Sequence, residues 1–188
     1  MRYVMAVDPS LTCSGWAIFD LSSNSLQAVG KIKSLPASAH SLPERYEDLQ
    51  RQVSQLFLHF NLGNSDVVIC ESETTMVDPK AAFKVERVRG IFETLGRERG
   101  CIVPGRISPR TVQFEVMGLR GKQLQRSIVK QSALQTVQSL YADSLRAFGL
   151  SVIKSHQDII DAILLGHLAT SRLKSALTTG VSIESCFI

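Results

Sequence analysis

Two carboxylates stand at the ends of strand-like runs. Asp8 follows the alternating run from Tyr3 to Val7, and Glu71 follows the apolar run from Val67 to Cys70. Two more, Asp158 and Asp161, lie three residues apart at the start of a helical pattern, a spacing that places both on one helix face. Each acid alone has an ordinary role. A strand-terminal Asp commonly forms a turn, and acids in a first helical turn favour the helix dipole. Gathered in one place, however, three or four acids repel one another unless cations compensate. The chemistry that needs such a set is phosphodiester hydrolysis with two divalent cations. Hard ions such as Mg²⁺, with Mn²⁺ as a substitute, take oxygen ligands. Two of them about 3.5–4 Å apart activate a water and stabilise the departing oxygen. The four cysteines, Cys13, Cys70, Cys101 and Cys186, have no CxxC spacing, so a zinc site is not expected.

The elements that must position these acids follow from the pattern. Residues 2–8 read as a strand, residues 9–15 as a turn, residues 16–20 as the return strand and residues 26–33 as a third strand. A helix opens at Pro43, with Leu42, Tyr46, Leu49, Val53, Leu56 and Phe57 on one stripe. Val67–Cys70 reads as a buried strand. Helices are expected over 79–98, from Ser108-Pro109, over 127–141 and over 158–173, with a short strand at 101–103. If the first and fourth strands are parallel neighbours, Asp8 and Glu71 leave the same sheet edge. Carboxyl ends of strands are where open α/β sheets place their sites. The order β-β-β-α-β-α-β-α-α-α predicts an α/β fold: a mixed central sheet, three antiparallel strands then parallel ones, with helices on both faces. Residues 1–174 are read as one domain and 175–188 as a C-terminal tail.

Charge is distributed unevenly. Between Lys80 and Lys130 there are 12 basic and 4 acidic residues, so this segment carries +8 and the remainder −4. A basic middle points to an anionic partner, with a nucleic acid as first candidate. Arg110, Arg120, Lys122, Arg126 and Lys130 are the candidate phosphate contacts. Arg87 and Arg89 are equally well explained by pairing with Glu86 or Glu93. His156 is a candidate to move a proton near Asp158. No apolar run spans a bilayer. The N-terminus lacks the apolar region of a secretory signal, and the scattered cysteines read as reduced, so a cytoplasmic setting is expected.

The segments "MAVDPSLTCSGWAI", "VVICESE" and "HQDIIDAILLGHLA" resemble the first hairpin, the second acidic strand and the C-terminal acidic helix of the RuvC-type Holliday-junction resolvases. "SPRTVQFEVMG" and the helix carrying Lys130 are similar to that family's DNA-facing segment. The resemblance spans roughly Tyr3 to Leu173. It implies a ribonuclease H-like fold, a homodimer, and Asp8, Glu71, Asp158 and Asp161 as catalytic metal ligands. It also implies symmetric cleavage of four-way DNA junctions with two metal ions per site. One departure bears on substrate. The family places an aromatic residue soon after its catalytic Glu, whereas Ser72–Met76 contains none. Forks, flaps or RNA-containing duplexes are therefore alternative substrates. A kinase or ATPase reading of "DPSLTCSG" is a more remote one, because those proteins resemble two such domains enclosing a nucleotide.

Overall fold

The structure, a computed structural model, describes residues 2–64, 66–72, 78–121, 125–150 and 153–187. Five strands form one sheet: β1 Tyr3–Asp8, β2 Cys13–Asp20, β3 Ser25–Lys33, β4 Val67–Glu71 and β5 Arg106–Ile107. Their spatial order is β3-β2-β1-β4-β5. The first three pair antiparallel, and β1–β4 and β4–β5 pair parallel. The helices are α1 Leu42–His59, α2 Pro79–Glu98, α3 Pro109–Glu115, α4 Arg126–Ala147 and α5 Gln157–Thr179. This is the expected α/β order.

Strand periodicity divides the core. Side chains of a strand alternate between faces. Val4, Ala6, Val67 and Ile69 join α4 and α5 residues in one buried cluster. Met5, Val7, Val68 and Cys70 join α1 and α2 residues in the other. A sheet buried on both faces gives β4 its continuous apolar reading and makes β1 apolar through Val7 rather than alternating as expected. By the same parity Asp8 and Glu71 belong to the α5 face. Val7 pairs with Cys70, so the next residue on each strand, Asp8 and Glu71, leaves the sheet side by side.

Local chemistry sets the helix starts. Asp78 accepts a hydrogen bond from the Lys80 amide (2.9 Å) ahead of Pro79, and Ser108 accepts one from the Thr111 amide (3.0 Å) ahead of Pro109. Two segments differ from expectation. The strand expected at 101–103 reduces to one bridge between Val67 and Ile102. The fifth strand lies at Arg106–Ile107 instead, because Pro104 has no N–H to extend the ladder. The helix expected to end at Leu173 continues to Thr179, where Gly180 (φ 69°) closes it. Beyond it, Phe187 is buried in the α5-side cluster. The helix carrying Lys130 passes through a kink at Tyr141 and ends at Ala147. Among the described residues, no helix is long and apolar enough to cross a membrane. The four cysteines form no disulfide.

Candidate metal and nucleic-acid site

Where β1, β4 and the start of α5 meet, Asp8, Glu71, Asp158 and Asp161 line one cleft of about 410 Å³. Three elements thus deliver the four acids singled out in the sequence. The turn after Asp8 is closed by Ser14, whose Oγ accepts from the Ser10 amide (2.9 Å) and donates to the Ser10 carbonyl (2.8 Å). Arg89, buried on α2, donates from Nε to the Glu71 carbonyl at 2.8 Å and pairs with Glu86. Arg106 in turn bridges Glu86 (2.8 Å) and Glu93 (2.7 Å). The end of β4 is therefore clamped to α2 by a charged network, and Arg89 acts as a positioning residue. Arg87 instead stacks over the Tyr46 ring at 4.6 Å.

The electrostatics are those of a buried cluster of acids. Burial pushes the Asp8 carboxyl up to about 7, Asp161 and Asp158 add repulsion, and Arg89 opposes the shift. Burial raises Glu71 to about 9, with Asp8 and Asp161 contributing. Asp161 rises to about 6, again mainly through burial, against a hydrogen bond from Gln157 Nε2 (2.8 Å). Neither the Asp8 nor the Glu71 carboxylate has a hydrogen-bond or ion-pair partner among the described residues. Asp158 pairs with Lys31 at 3.1 Å. Among the described residues, no three acidic, histidine or cysteine side chains already meet at metal-ligating distance. Lys31 and Gln157 each hold one acid separately. The donor set nevertheless fits hard divalent cations: all oxygen, in one cleft, with the Asp8 and Glu71 carboxylates unpartnered among the described residues.

A stability test follows. Unfolded carboxyls release their protons near pH 4, whereas these three retain them to about pH 6, 7 and 9. Across that window the unfolded state binds fewer protons, so stability falls as pH rises. In EDTA the Tm is expected to drop between about pH 5 and pH 9, by ~2–4 °C for each kcal/mol of stability lost. Millimolar Mg²⁺ is expected to reverse the drop at the alkaline end. A flat Tm profile with no response to Mg²⁺ would remove the anionic-site reading.

The basic candidates separate into two groups. Arg126 and Lys130, from α4, line the cleft with the acids. Arg110 and Arg120 line an adjoining hollow instead. Lys122 lies outside the described residues, as do residues 73–77 after Glu71, the stretch in which the expected aromatic is missing. His156 stands just before α5, and its Nδ1 is buried without a hydrogen-bond partner among the described residues. It does not line the cleft. His167 packs against Tyr141, with Nδ1 2.6 Å from the phenol oxygen.

Three neighbours of the acids escaped the sequence reading: Lys31, Gln157 and Gly15. Gly15 pairs with Asp8 across β1–β2 and with Lys31 across β2–β3. A Cβ on Gly15 would lie 1.9 Å from the Asp158 carbonyl oxygen. The hairpin register is the signal that would have found Lys31. Cys13 also lies beside Asp158, and its thiol is pushed up by burial and by that carboxylate.

No protein-family profile matches the chain, and no curated protein matches it by sequence. Solved structures do match. RuvC of Thermus thermophilus in complex with a Holliday-junction substrate superposes with a TM-score of 0.68, covering 96% of this chain and 98% of that one at 17% identity. The chain has the RuvC fold. The Thermus thermophilus RuvC structure gives a TM-score of 0.67 over 95% and 97% of the two chains, at 17% identity. The fowlpox virus Holliday-junction resolvase gives 0.52 over 94% and 99%, at 15% identity. The RuvC fold carries the ribonuclease H-like sheet expected from the sequence. In this RuvC fold the strand ends that meet α5 are the ones bearing Asp8 and Glu71.

Proposed function

We propose that this protein is a cytoplasmic, metal-dependent, structure-selective endodeoxyribonuclease that resolves four-way DNA junctions by symmetric phosphodiester hydrolysis. The observation that carries the reading is the single cleft in which four carboxylates from β1, β4 and α5 face Arg126 and Lys130 of α4. An all-oxygen anionic floor beside a cationic wall suits a phosphodiester held by divalent ions. The likeness to RuvC bound to a Holliday-junction substrate supports the choice of branched DNA.

Asp8, Glu71, Asp158 and Asp161 would hold two Mg²⁺ ions. When bound, such ions supply a nucleophilic water at neutral pH and stabilise the leaving oxygen. The chain's own residues do the rest. Arg126 and Lys130 hold the phosphate backbone, which sets position but reads no sequence. Gln157 keeps Asp161 oriented through its 2.8 Å hydrogen bond. Lys31 holds Asp158 until a cation competes for that carboxylate.

A homodimer completes the proposal, since symmetric cleavage needs two clefts. On α2, Val88, Phe92 and Leu95 are buried, while Phe83 remains 65% exposed. That leaves an apolar side chain on α2 for a second copy.

The test is cleavage by purified protein with Mg²⁺ on a mobile four-way junction, a replication fork, a flap and plain duplex. Paired symmetric nicks in the junction, abolished by EDTA, are expected. Preferential cutting of fork or flap would move the reading to a branch nuclease of the same site. No metal-dependent cutting of any substrate would remove it.

A further inference from the structure

Next to the acidic cleft lies a second hollow, of about 490 Å³, built on α3 and the turn that follows it. Its floor is aromatic. Phe114 is 53% exposed on α3. Scattered exposed apolar side chains are ordinary on protein surfaces. The surroundings of Phe114 set it apart. The Arg120 guanidinium lies over its ring, 5.6 Å from the centroid. Arg110 donates to the Gly121 carbonyl and so clasps the Arg120 turn back onto α3. The one acid in the lining, Glu115, is paired with Arg172 of α5 at 2.6 Å, which offsets its charge and anchors α3 to the site helix. The hollow is therefore aromatic and cationic. It adjoins the acidic cleft directly, because Gln113 lines both.

An exposed ring with a guanidinium over it is a platform for one class of ligand. Nucleobases stack on aromatic and guanidinium planes whatever their identity, because every base has a π face. Within a duplex those faces are covered by neighbouring base pairs, so only an unpaired or extruded base can use the platform. Two arginines beside the ring suit the phosphates flanking such a base.

We propose that the Phe114–Arg120–Arg110 hollow is a subsite for an unpaired nucleobase, one that positions strand next to the acidic cleft and favours branched or single-stranded DNA over duplex. The proposal rests on the nuclease reading for its substrate class. The subsite itself is testable without cleavage.

The experiment measures Kd for a four-way junction, a single-stranded oligonucleotide and plain duplex. The proteins are wild type, Phe114→Ala, Phe114→Trp and Arg120→Ala, each without added metal so that nothing is cut. Phe114 is exposed, so its truncation leaves the two buried clusters intact, and an unchanged Tm checks this. Phe114→Ala is expected to lose roughly 5- to 150-fold in affinity for single strand and junction, the range of one lost base stack. Duplex affinity is expected to stay within twofold. Phe114→Trp is expected to restore binding, which a merely structural role would not predict. Arg120→Ala is expected to fall between the two. Equal losses on all three ligands, or none on single strand, would overturn the subsite. A wild-type protein with no preference for junction over duplex would instead count against the resolvase reading, and the single-strand arm would still decide the subsite.

Discussion

Asp8→Asn and Asp161→Asn are expected to lose cleavage by ~10³-fold or more, about 4 kcal/mol of transition-state stabilisation, while the metal-free proteins become more stable than wild type. The two effects have one cause. Each acid contributes negative charge to a cleft where burial and neighbouring carboxylates already hold Asp8 near 7 and Asp161 near 6. An isosteric amide removes that charge and keeps the shape. The folded state is relieved of repulsion, and the cations lose a ligand. At about pH 8 in EDTA, where wild-type Asp8 and Asp161 are mostly ionised, the Tm of each variant is expected to rise by a few degrees. The wild-type gain in Tm on adding Mg²⁺ is expected to shrink in both. Thermal melts with and without Mg²⁺, paired with the junction assay, measure all three outcomes. If either variant melts well below wild type in EDTA, the acid is a structural element of the fold and its assignment to the metal site fails.

Gly15→Ala is expected to cost both stability and cleavage, although Gly15 carries no chemistry. Its Cβ would lie 1.9 Å from the Asp158 carbonyl oxygen, 2.2 Å from the carbonyl carbon and 2.9 Å from the Ile159 amide nitrogen. All three are backbone atoms of the first turn of α5, so no side-chain rotation relieves the clash. The helix start must move, taking Asp158 and Asp161 with it. A displacement of 1 Å at a catalytic group costs on the order of 10²-fold in rate. Overpacking of this kind costs roughly 1–3 kcal/mol, or ~2–4 °C in Tm for each kcal/mol in a chain of this size. Gly166→Ala is the informative comparison. Its Cβ would meet the Phe19 ring at 2.3 Å, deeper along the same helix and sheet face. That is again overpacking, but against a side chain and away from the acids. A similar fall in Tm with cleavage largely retained is expected there. Equal loss of cleavage in the two variants would mean that general helix–sheet packing, rather than the Gly15 contact, places the acids.

Several features of the molecule were present in the linear order of residues. Tyr3–Val7 is apolar throughout, so the face of Asp8 followed from strand parity alone, two and four residues beyond Ala6 and Val4. Glu71 follows Val67 and Ile69 in the same way. The Ser108-Pro109 helix start, the spacing of Asp158 and Asp161 and the basic run before Lys130 are likewise local. Each depends on residues a few positions apart, and local geometry alone defines the result.

The remainder depends on long-range register, which residue order does not encode directly. Lys31 reaches Asp158 only because the β1–β2–β3 hairpins align Asp8, Gly15 and Lys31 across three strands. The fifth strand lies at Arg106–Ile107 rather than 101–103: Pro104 interrupts the ladder after the Val67–Ile102 bridge, and pairing resumes opposite Cys70 and Glu71. Among the basic residues, composition treats Arg110, Arg120, Arg126 and Lys130 alike. Docking of α3 and α4 against α5 puts the last two in the acidic cleft and the first two beside Phe114. The sequence by itself determined most of the elements and the faces of β1 and β4, and marked the four acids as candidates, because these follow from periodicity and residue type. Only the tertiary structure decided which charges meet, because a contact between residues more than 100 positions apart, such as Lys31 with Asp158, exists only once sheet register and helix docking are both set.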